Sequence, residues 1–140
     1  MNRRTFGVSA MVIASLLAGC DDDETGALSL PDASPPGWLE LRLTGAPGDS
    51  EALLFEVVGG PVDSVASENH RGFSNTQRAD QLRVLLVGDL TNDVVAKVWV
   101  PNPSAVDQYE IMLEQAASGQ EFQQQSVSTY SLNLEIPARP

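Results

Sequence analysis

Cysteine and histidine are almost absent from the chain, whose 140 residues include one of each. A single cysteine cannot form an internal disulfide, so the folded part depends on its hydrophobic core for stability. The zinc and redox motifs H-E-x-x-H and C-x-x-C are missing, as are a glycine-rich phosphate loop and the nucleophile elbow G-x-S-x-G. We therefore predict no bound metal and no cofactor.

Basic residues are also scarce. The chain has 8 lysines and arginines against 19 aspartates and glutamates, which gives a formal net charge of −11 at pH 7. Such a surface repels nucleic acid and anionic lipid headgroups, and no basic cluster interrupts it. We predict that nucleic acid is not a partner.

No catalytic group can be assigned from the sequence. His70 lies in the polar stretch of residues 67–80, beside Glu68 and Arg71, and no candidate nucleophile or oxyanion donor accompanies it. A glycosidase-type carboxylate pair cannot be selected among 19 acids. We predict that the chain is not an enzyme and has no catalytic residue.

The amino terminus has the pattern of an export signal. Arg3 and Arg4 form a positive start, and an uncharged apolar run follows at residues 6–18. This run is too short to cross a hydrocarbon core of ~30 Å, which needs about 20 residues. We predict that residues 1–19 are a signal peptide that is removed.

The signal ends in the tetrapeptide LAGC, which is Leu17, Ala18, Gly19 and Cys20. This tetrapeptide resembles the lipobox of bacterial lipoproteins, and the resemblance implies cleavage before Cys20 and a diacylglycerol on its thiol. Each buried CH₂ contributes about 0.8 kcal/mol, so two or three acyl chains hold a protein on a membrane. The lipid bilayer is thus the first predicted partner. The predicted location is the extracytoplasmic cell envelope, at the inner or the outer membrane.

A second motif overlaps the positive start. The stretch RRTF at residues 3–6 resembles the twin-arginine motif, which implies export of an already folded domain. Ordinary secretory signals also carry one or two basic residues, so both export routes stay open.

Residues 20–36 have the composition of a flexible tether. They are acidic and small and end in two prolines, with too little apolar surface to order themselves. A flexible chain of this length reaches on the order of 20 Å. The four acids at residues 21–24 lack the spaced ligands and turn glycine of a calcium loop, so we expect a solvated spacer.

Residues 37–140 form one predicted domain in which apolar residues recur at every second position. Strands are expected at residues 38–44, 52–60, 61–67, 81–90, 93–100, 104–118 and 130–136. The runs at 52–60 and 81–90 are apolar on nearly both faces, which suits central strands covered on each side. About seven short strands separated by turns predict an all-β fold, a single antiparallel β-sandwich.

The segment at residues 104–118 fits two patterns. As a helix, it would have Ser104 as its N-cap and Tyr109 and Leu113 on one face. As a strand, Tyr109, Ile111 and Leu113 alternate with polar residues. Because the neighbouring segments are all strands, we interpret this one as a strand.

The order of motifs in part resembles cohesin-like and carbohydrate-binding sandwiches. The resemblance rests on ALLFEVVGGPVDSV, a loop, LRVLLVGDL and a final strand led by a tyrosine, about half of the domain. No diagnostic motif is present. The resemblance implies an Ig-like or cohesin-like sandwich that binds a protein or a glycan.

The polar stretch at residues 67–80 contains the candidate binding residues. These are His70, Arg71, Phe73 and Arg78. They place an aromatic ring and several donors on what we interpret as a connection between strands, and connections carry function on rigid scaffolds. A hairpin in which Phe73 packs onto the core is the more common arrangement. Trp99 fits either the core, which we favour, or a half-exposed platform for a sugar ring.

We therefore predict a membrane-anchored envelope lipoprotein whose β-sandwich is a non-enzymatic binding or structural module. Its partner would be a protein or a glycan. The alternative is an accessory subunit of an exported enzyme complex, which the twin-arginine resemblance favours.

Overall fold

The computed structural model describes residues 34–138. The predicted signal peptide, Cys20 and all but the last three residues of the predicted tether lie outside the described residues. The strands are β1 (Gly37–Thr44), β2 (Ser50–Val58), β3 (Ser64–Ala66), β4 (Arg71–Arg78), β5 (Gln81–Val87), β6 (Val94–Val100), β7 (Glu110–Ser118), β8 (Gln123–Gln125) and β9 (Ser131–Glu135). Two 3-10 helices, Pro103–Gln108 and Val127–Thr129, precede β7 and β9. Within this range no helix is long and apolar enough to cross a membrane.

The strands form two antiparallel sheets. The four-stranded sheet has the order β3-β6-β1-β9, and the five-stranded sheet has the order β4-β5-β2-β7-β8. The sheets face each other, because β3 approaches β4 at one side and β9 approaches β7 at the other. β2 is therefore central in the five-stranded sheet, with β5 and β7 as its neighbours.

The core lies between the two sheets and follows from the alternation of the strands. Every second side chain points inward, since successive side chains of a strand face opposite sides. The largest fully buried apolar side chains are Phe55, Leu39, Leu41, Leu43, Leu53, Leu86, Leu90, Val57, Val84, Val98 and Val100. Burying one such side chain stabilises a fold by about 1.5–3 kcal/mol. The sandwich is thus held together by its apolar core.

Two buried tyrosines close the sandwich at the two ends of β2. The Tyr109 hydroxyl donates to the carbonyl oxygen of Pro61 at 2.9 Å, and burial raises the pKa of this phenol above its ordinary value. The Tyr130 hydroxyl lies 3.0 Å from Oγ of Ser50, which itself donates to the carbonyl oxygen of Pro47 at 2.9 Å. Each buried hydroxyl is therefore hydrogen-bonded, as buried polar groups need to be.

Each tyrosine packs against a corner that requires glycine. Gly59, at φ +99°, follows β2, and a Cβ there would collide with the carbonyl oxygen of Gln108. Gly45, at φ +72°, follows β1, and a Cβ there would collide with the carbonyl oxygen of Thr129. The two corners share the patterns Gly-x-Pro and Val-x-x-Tyr, as GGP with VDQY and GAP with VSTY. The sandwich therefore uses the same local arrangement twice.

The structure confirms the all-β sandwich and adds two strands to the seven expected. The additional strands are β4 and β8, both at edges of the five-stranded sheet. For residues 104–118, the strand prediction holds from Glu110 onward but is wrong for the beginning, which is a 3-10 helix. Asn102 starts this helix, since its side chain accepts a hydrogen bond from the backbone N–H of Ser104 at 3.2 Å.

Candidate functional site

The candidate residues from the polar stretch at 67–80 do not lie on a connection. Residues Arg71–Arg78 form β4, an edge strand that pairs with β5 on one side and, within residues 34–138, with no strand on the other. All eight residues of β4 are exposed. The interpretation of this stretch as a loop is wrong, because a strand that is exposed on both faces shows no apolar alternation.

Three side chains of β4 lie on the outer face of the five-stranded sheet. Arg71 is opposite Val87, and Phe73 is opposite Leu85. Asn75 also belongs to this set, two residues further along the strand. The alternate positions of β5, including Leu86, point into the core, so these pairs point away from it.

A β-bulge brings Arg78 onto the same outer face. The register of β4 and β5 shifts between Thr76 and Arg78, so Gln77 is an extra residue and Arg78 lies opposite Gln81. Without the bulge, Arg78 would face the opposite side from Arg71, since it lies seven positions further along the strand and successive side chains alternate. Nε of Arg78 donates to Oε1 of Gln81 at 2.9 Å, and Nε2 of Gln81 donates to Glu56 at 2.6 Å.

An apolar row, exposed at Phe73 and half-buried at Leu85 and Leu54, crosses the outer face from β4 to β2. Phe73 is 59% exposed, so the alternative that this ring packs onto the core is wrong. Leu85 of β5 lies opposite Phe73, and Leu54 of β2 lies opposite Leu85. Further along the face, Phe122 is 50% exposed and lines a shallow depression of about 290 Å³ together with both leucines. An apolar surface of this kind is typical of an interaction site.

The sequence contains a signal for this apolar row. The runs that became β2 and β5 are apolar on nearly both faces, and we expected both faces to be covered. In the structure their inner faces are buried, whereas the outer face remains open over the described residues. The outward leucines Leu54 and Leu85 form the second apolar face of each run, but among the described residues no element covers that face.

The two arginines of β4 differ from the other basic residues that the structure describes. Arg42 pairs with Asp93 and Glu135, and its hydrogen bond to Glu135 raises its pKa. The remaining ion pairs are Arg83 with Glu114 and Lys97 with Glu68. Within residues 34–138, Arg71 and Arg78 form no ion pair, and β4 has no acidic residue. We call Arg71, Phe73, Asn75 and Arg78 the β4 surface.

His70 does not belong to the β4 surface. Its Nδ1 lies 3.1 Å from the carbonyl oxygen of Val95, and its Nε2 lies 3.0 Å from the carbonyl oxygen of Asp89. A neutral imidazole has one N–H, so it donates to one of these two oxygens, and the ring lies between the turn before β4 and the neighbouring strand ends. His70 and Arg71 nevertheless line one open groove together with Val87, so the participation of His70 in binding stays a prediction.

Ser67 is the hydroxyl nearest to the histidine. Its Oγ lies 3.1 Å from Nδ1 of His70 and donates to the carbonyl oxygen of Val95 at 2.8 Å. Because this proton points to a backbone carbonyl, the serine is not positioned to transfer it to the ring. A groove of about 280 Å³ beside the pair is lined by Glu40, Glu68 and other residues. Within the described residues, no group of three His, Cys, Asp or Glu could hold a metal ion.

The two tryptophans lie on the outer face of the four-stranded sheet. Trp38 of β1 is directly opposite Trp99 of β6, with ring centroids 5.1 Å apart and planes at 70°. Both side chains are half-buried, so the placement of Trp99 in the core is wrong. An edge-to-face pair of this kind contributes about 0.5–1.5 kcal/mol beyond its buried area. We assign the pair to joining β1 and β6.

The fold and the β4 surface define an antiparallel β-sandwich with an open edge strand. Comparisons of the chain with protein-family models, with curated proteins and with solved structures find no match. The resemblance to cohesin-like and carbohydrate-binding sandwiches therefore stays a prediction from the sequence.

Proposed function

We propose that the chain is a lipid-anchored protein of the cell envelope whose β-sandwich is a non-enzymatic module that binds a protein through the β4 surface. The observation that carries the proposal is an eight-residue edge strand, exposed throughout, on which two arginines flank an exposed phenylalanine and form no ion pair within residues 34–138.

The exposure of β4 is itself unusual for an edge strand. Natural edges are usually short, or are protected by lysine, proline or a covering element, because unpaired N–H and C=O groups attract other strands. The other three edges of this sandwich are shorter, since β3 and β8 have three residues each and β9 has five. β4 has eight residues, and its single bulge lies near its end. An edge of this length supports binding by strand addition, in which main-chain hydrogen bonds provide affinity.

The side chains of β4 support a protein as the partner rather than a glycan. Arginine and aromatic residues dominate the binding energy of protein interfaces, and Phe73 with Arg71 and Arg78 supplies both types. A glycan would be expected to bind a flat ring face, and the two tryptophans are instead packed edge to face against each other. A binding role is favoured over catalysis because both ring nitrogens of the single histidine contact carbonyl oxygens.

The anchor in this proposal is Cys20, which lies outside the described residues. The LAGC motif supports lipidation of its thiol, and residues 20–36 would then separate the sandwich from the membrane. The described chain begins at Ser34, directly before β1, so the tether would enter the sandwich at the start of that strand. The β4 surface belongs to the other sheet and remains accessible.

The experiment uses the full chain expressed in its envelope. Changing Cys20→Ser should abolish fatty-acid labelling and release the protein from the membrane fraction. The wild-type protein is cross-linked, and its complexes are solubilised in detergent and captured. Phe73→Ala or Arg71→Ala should weaken capture of the same partner by about 10-fold, which corresponds to the loss of about 1–2 kcal/mol at an interface hot spot.

The matched control is Met112→Ala. Met112 is an apolar side chain of similar exposure, 51%, on the same outer face but on β7. It should leave capture unchanged. Equal loss of capture in all three alanine variants, or equal labelling of wild type and Cys20→Ser, would contradict the proposal. If the captured partner is an exported enzyme, the module is its accessory subunit.

A further inference from the structure

The β4 surface sets requirements for the strand that pairs with it. β4 has eight residues, and on one of its faces an arginine side chain lies at each end with the phenyl ring of Phe73 between them. A complementary strand must therefore present acids near both ends and apolar side chains between them, all on one face. The other face of β4 carries only Gly72, Ser74 and Thr76, so it makes weaker demands.

A second copy of β4 does not meet these requirements. In an antiparallel pair centred on Ser74, with the bulged Gln77 left out of the register, Arg71 of one copy lies opposite Arg78 of the other at both ends of the pair. Like charges directly opposite each other destabilise a sheet. In this register the β4 edges of two copies repel each other, which favours a partner strand of different sequence.

One segment of this chain does meet them. Within residues 24–32, the alternate positions are Glu24, Gly26, Leu28, Leu30 and Asp32. In an extended strand these five residues share a face, with an acid at each end and two leucines between. We propose that residues 24–32 of one copy of the protein add to β4 of a neighbouring copy as an extra strand.

The register follows from the side chains. In an antiparallel arrangement with Leu30 opposite Phe73, Asp32 lies opposite Arg71. Glu24 then lies diagonal to the second arginine of β4, within reach of a long side chain. Pro31 has no N–H, a feature confined in sheets largely to edge strands and strand ends. The added strand becomes the new edge, and its proline hinders a further strand from joining.

The segment cannot reach β4 of its own chain in this register. Ser34 lies beside Ser104, and the hydroxyls of these two residues contact each other. Ser104 lies on the helix that leads into β7, and β7 is three strand spacings from β4, about 14 Å. Asp32 is two residues from Ser34, which span about 7 Å when extended. The pairing is therefore between copies.

This inference rests on the proposed function in one respect, namely that β4 is the binding surface of an anchored protein. Copies held on one membrane meet at a high effective concentration, so a modest affinity suffices for association. Reciprocal exchange of the two segments closes the assembly as a symmetric dimer. The contact is largely ionic at its ends, and raising the ionic strength should weaken it.

The test uses the chain from residue 20 onward, with Cys20→Ser so that it stays in solution, in sedimentation velocity runs over a range of concentrations. We expect concentration-dependent association that weakens at least 10-fold in the double variant Arg71→Glu, Arg78→Glu. Combining this variant with Glu24→Arg and Asp32→Arg restores the charge complementarity and should restore association. A synthetic peptide of residues 21–33 should compete with it.

The control pair is Asp49→Lys with Glu121→Lys. These two acids are exposed and make no ion pair among the described residues, so this pair changes the net charge as Glu24→Lys with Asp32→Lys does. Association should survive the control and fail in the second pair, and thermal unfolding verifies that every variant is folded. A chain that stays monomeric at all concentrations, or charge reversal on β4 without effect, overturns the inference. If capture of another protein still depends on Phe73, the proposed function stands; if it does not, both fall.

Discussion

Replacing Phe73 with alanine separates a partner contact from a structural contact. The ring is 59% exposed, and its direct cross-strand neighbour is Leu85. A cross-strand pair contributes roughly 0.2–1 kcal/mol, so Phe73→Ala should lower the free energy of unfolding by no more than about 1 kcal/mol. Phe55 provides the contrast, because it is fully buried between Val84 and Leu113 of the neighbouring strands. Phe55→Ala should cost about 3–5 kcal/mol, as for other buried aromatic residues.

The assay is chemical and thermal unfolding of the two variants beside wild type. For a domain of roughly this size, each kcal/mol shifts the melting temperature by about 4–8 °C. Phe55→Ala should therefore melt at least about 12 °C lower, and Phe73→Ala at most about 8 °C lower. The denaturant dependence of the free energy should stay the same in both, since neither change alters the surface exposed on unfolding by much.

One result would refute the reasoning about the β4 surface. If Phe73→Ala lowered stability by about 3 kcal/mol or more, the ring would be covered in solution by part of the chain, and its exposure could not support a partner site. A small effect of Phe73→Ala together with a large effect of Phe55→Ala is the expected pattern. If Phe73→Ala has a small effect on stability and also leaves partner capture unchanged, β4 is an edge strand without a binding role.

Two further predictions concern the corners of the sandwich. Gly59→Ala should lower the free energy of unfolding by at least about 2 kcal/mol, because the backbone is left-handed there and a Cβ collides with the carbonyl of Gln108. The control is Gly48→Ala, whose Cβ would meet no described atom outside its chain neighbours within 4 Å. In urea unfolding this control should stay within about 0.5 kcal/mol of wild type. Equal effects of the two changes would disprove the packing assigned to this corner. Burial raises the pKa of Tyr109 above the value of about 10 in the unfolded chain, so the unfolded state loses this proton first and stability should fall as the pH rises above about 10. Tyr109→Phe should reduce that fall above about pH 10, and an unchanged slope would show that another group causes it.

The sequence by itself determined the class of fold and most of the core. The alternation in β1 and β9 and the apolar runs of β2 and β5 are local properties, since a strand buried on one face must repeat every two residues. The lipobox resemblance is equally local and concerns residues 17–20, outside the described residues. Both can be seen without knowing which strands are neighbours.

The sequence contains a signal for the helix at Pro103–Gln108, but the strand patterns of the neighbouring segments favour a strand there. Asn102, Pro103 and Ser104 form a helix start, and the strand pattern only begins after Tyr109. We assigned the whole segment by its neighbours, although both patterns are present one after the other. A short helix of six residues is easily hidden in this way, because it has too few turns to show a periodic apolar face.

The tertiary structure alone decided the candidate site. β4 is a strand because β5 lies beside it, and no apolar alternation records this pairing, since neither face of β4 is covered. The same pairing places a bulge at Gln77 that brings Arg78 onto the face of Arg71 and Phe73. Among the described residues, no acid forms an ion pair with either arginine. Each of these features depends on residues distant in the sequence, and edge position, register and charge pairing exist only once the sheets have formed.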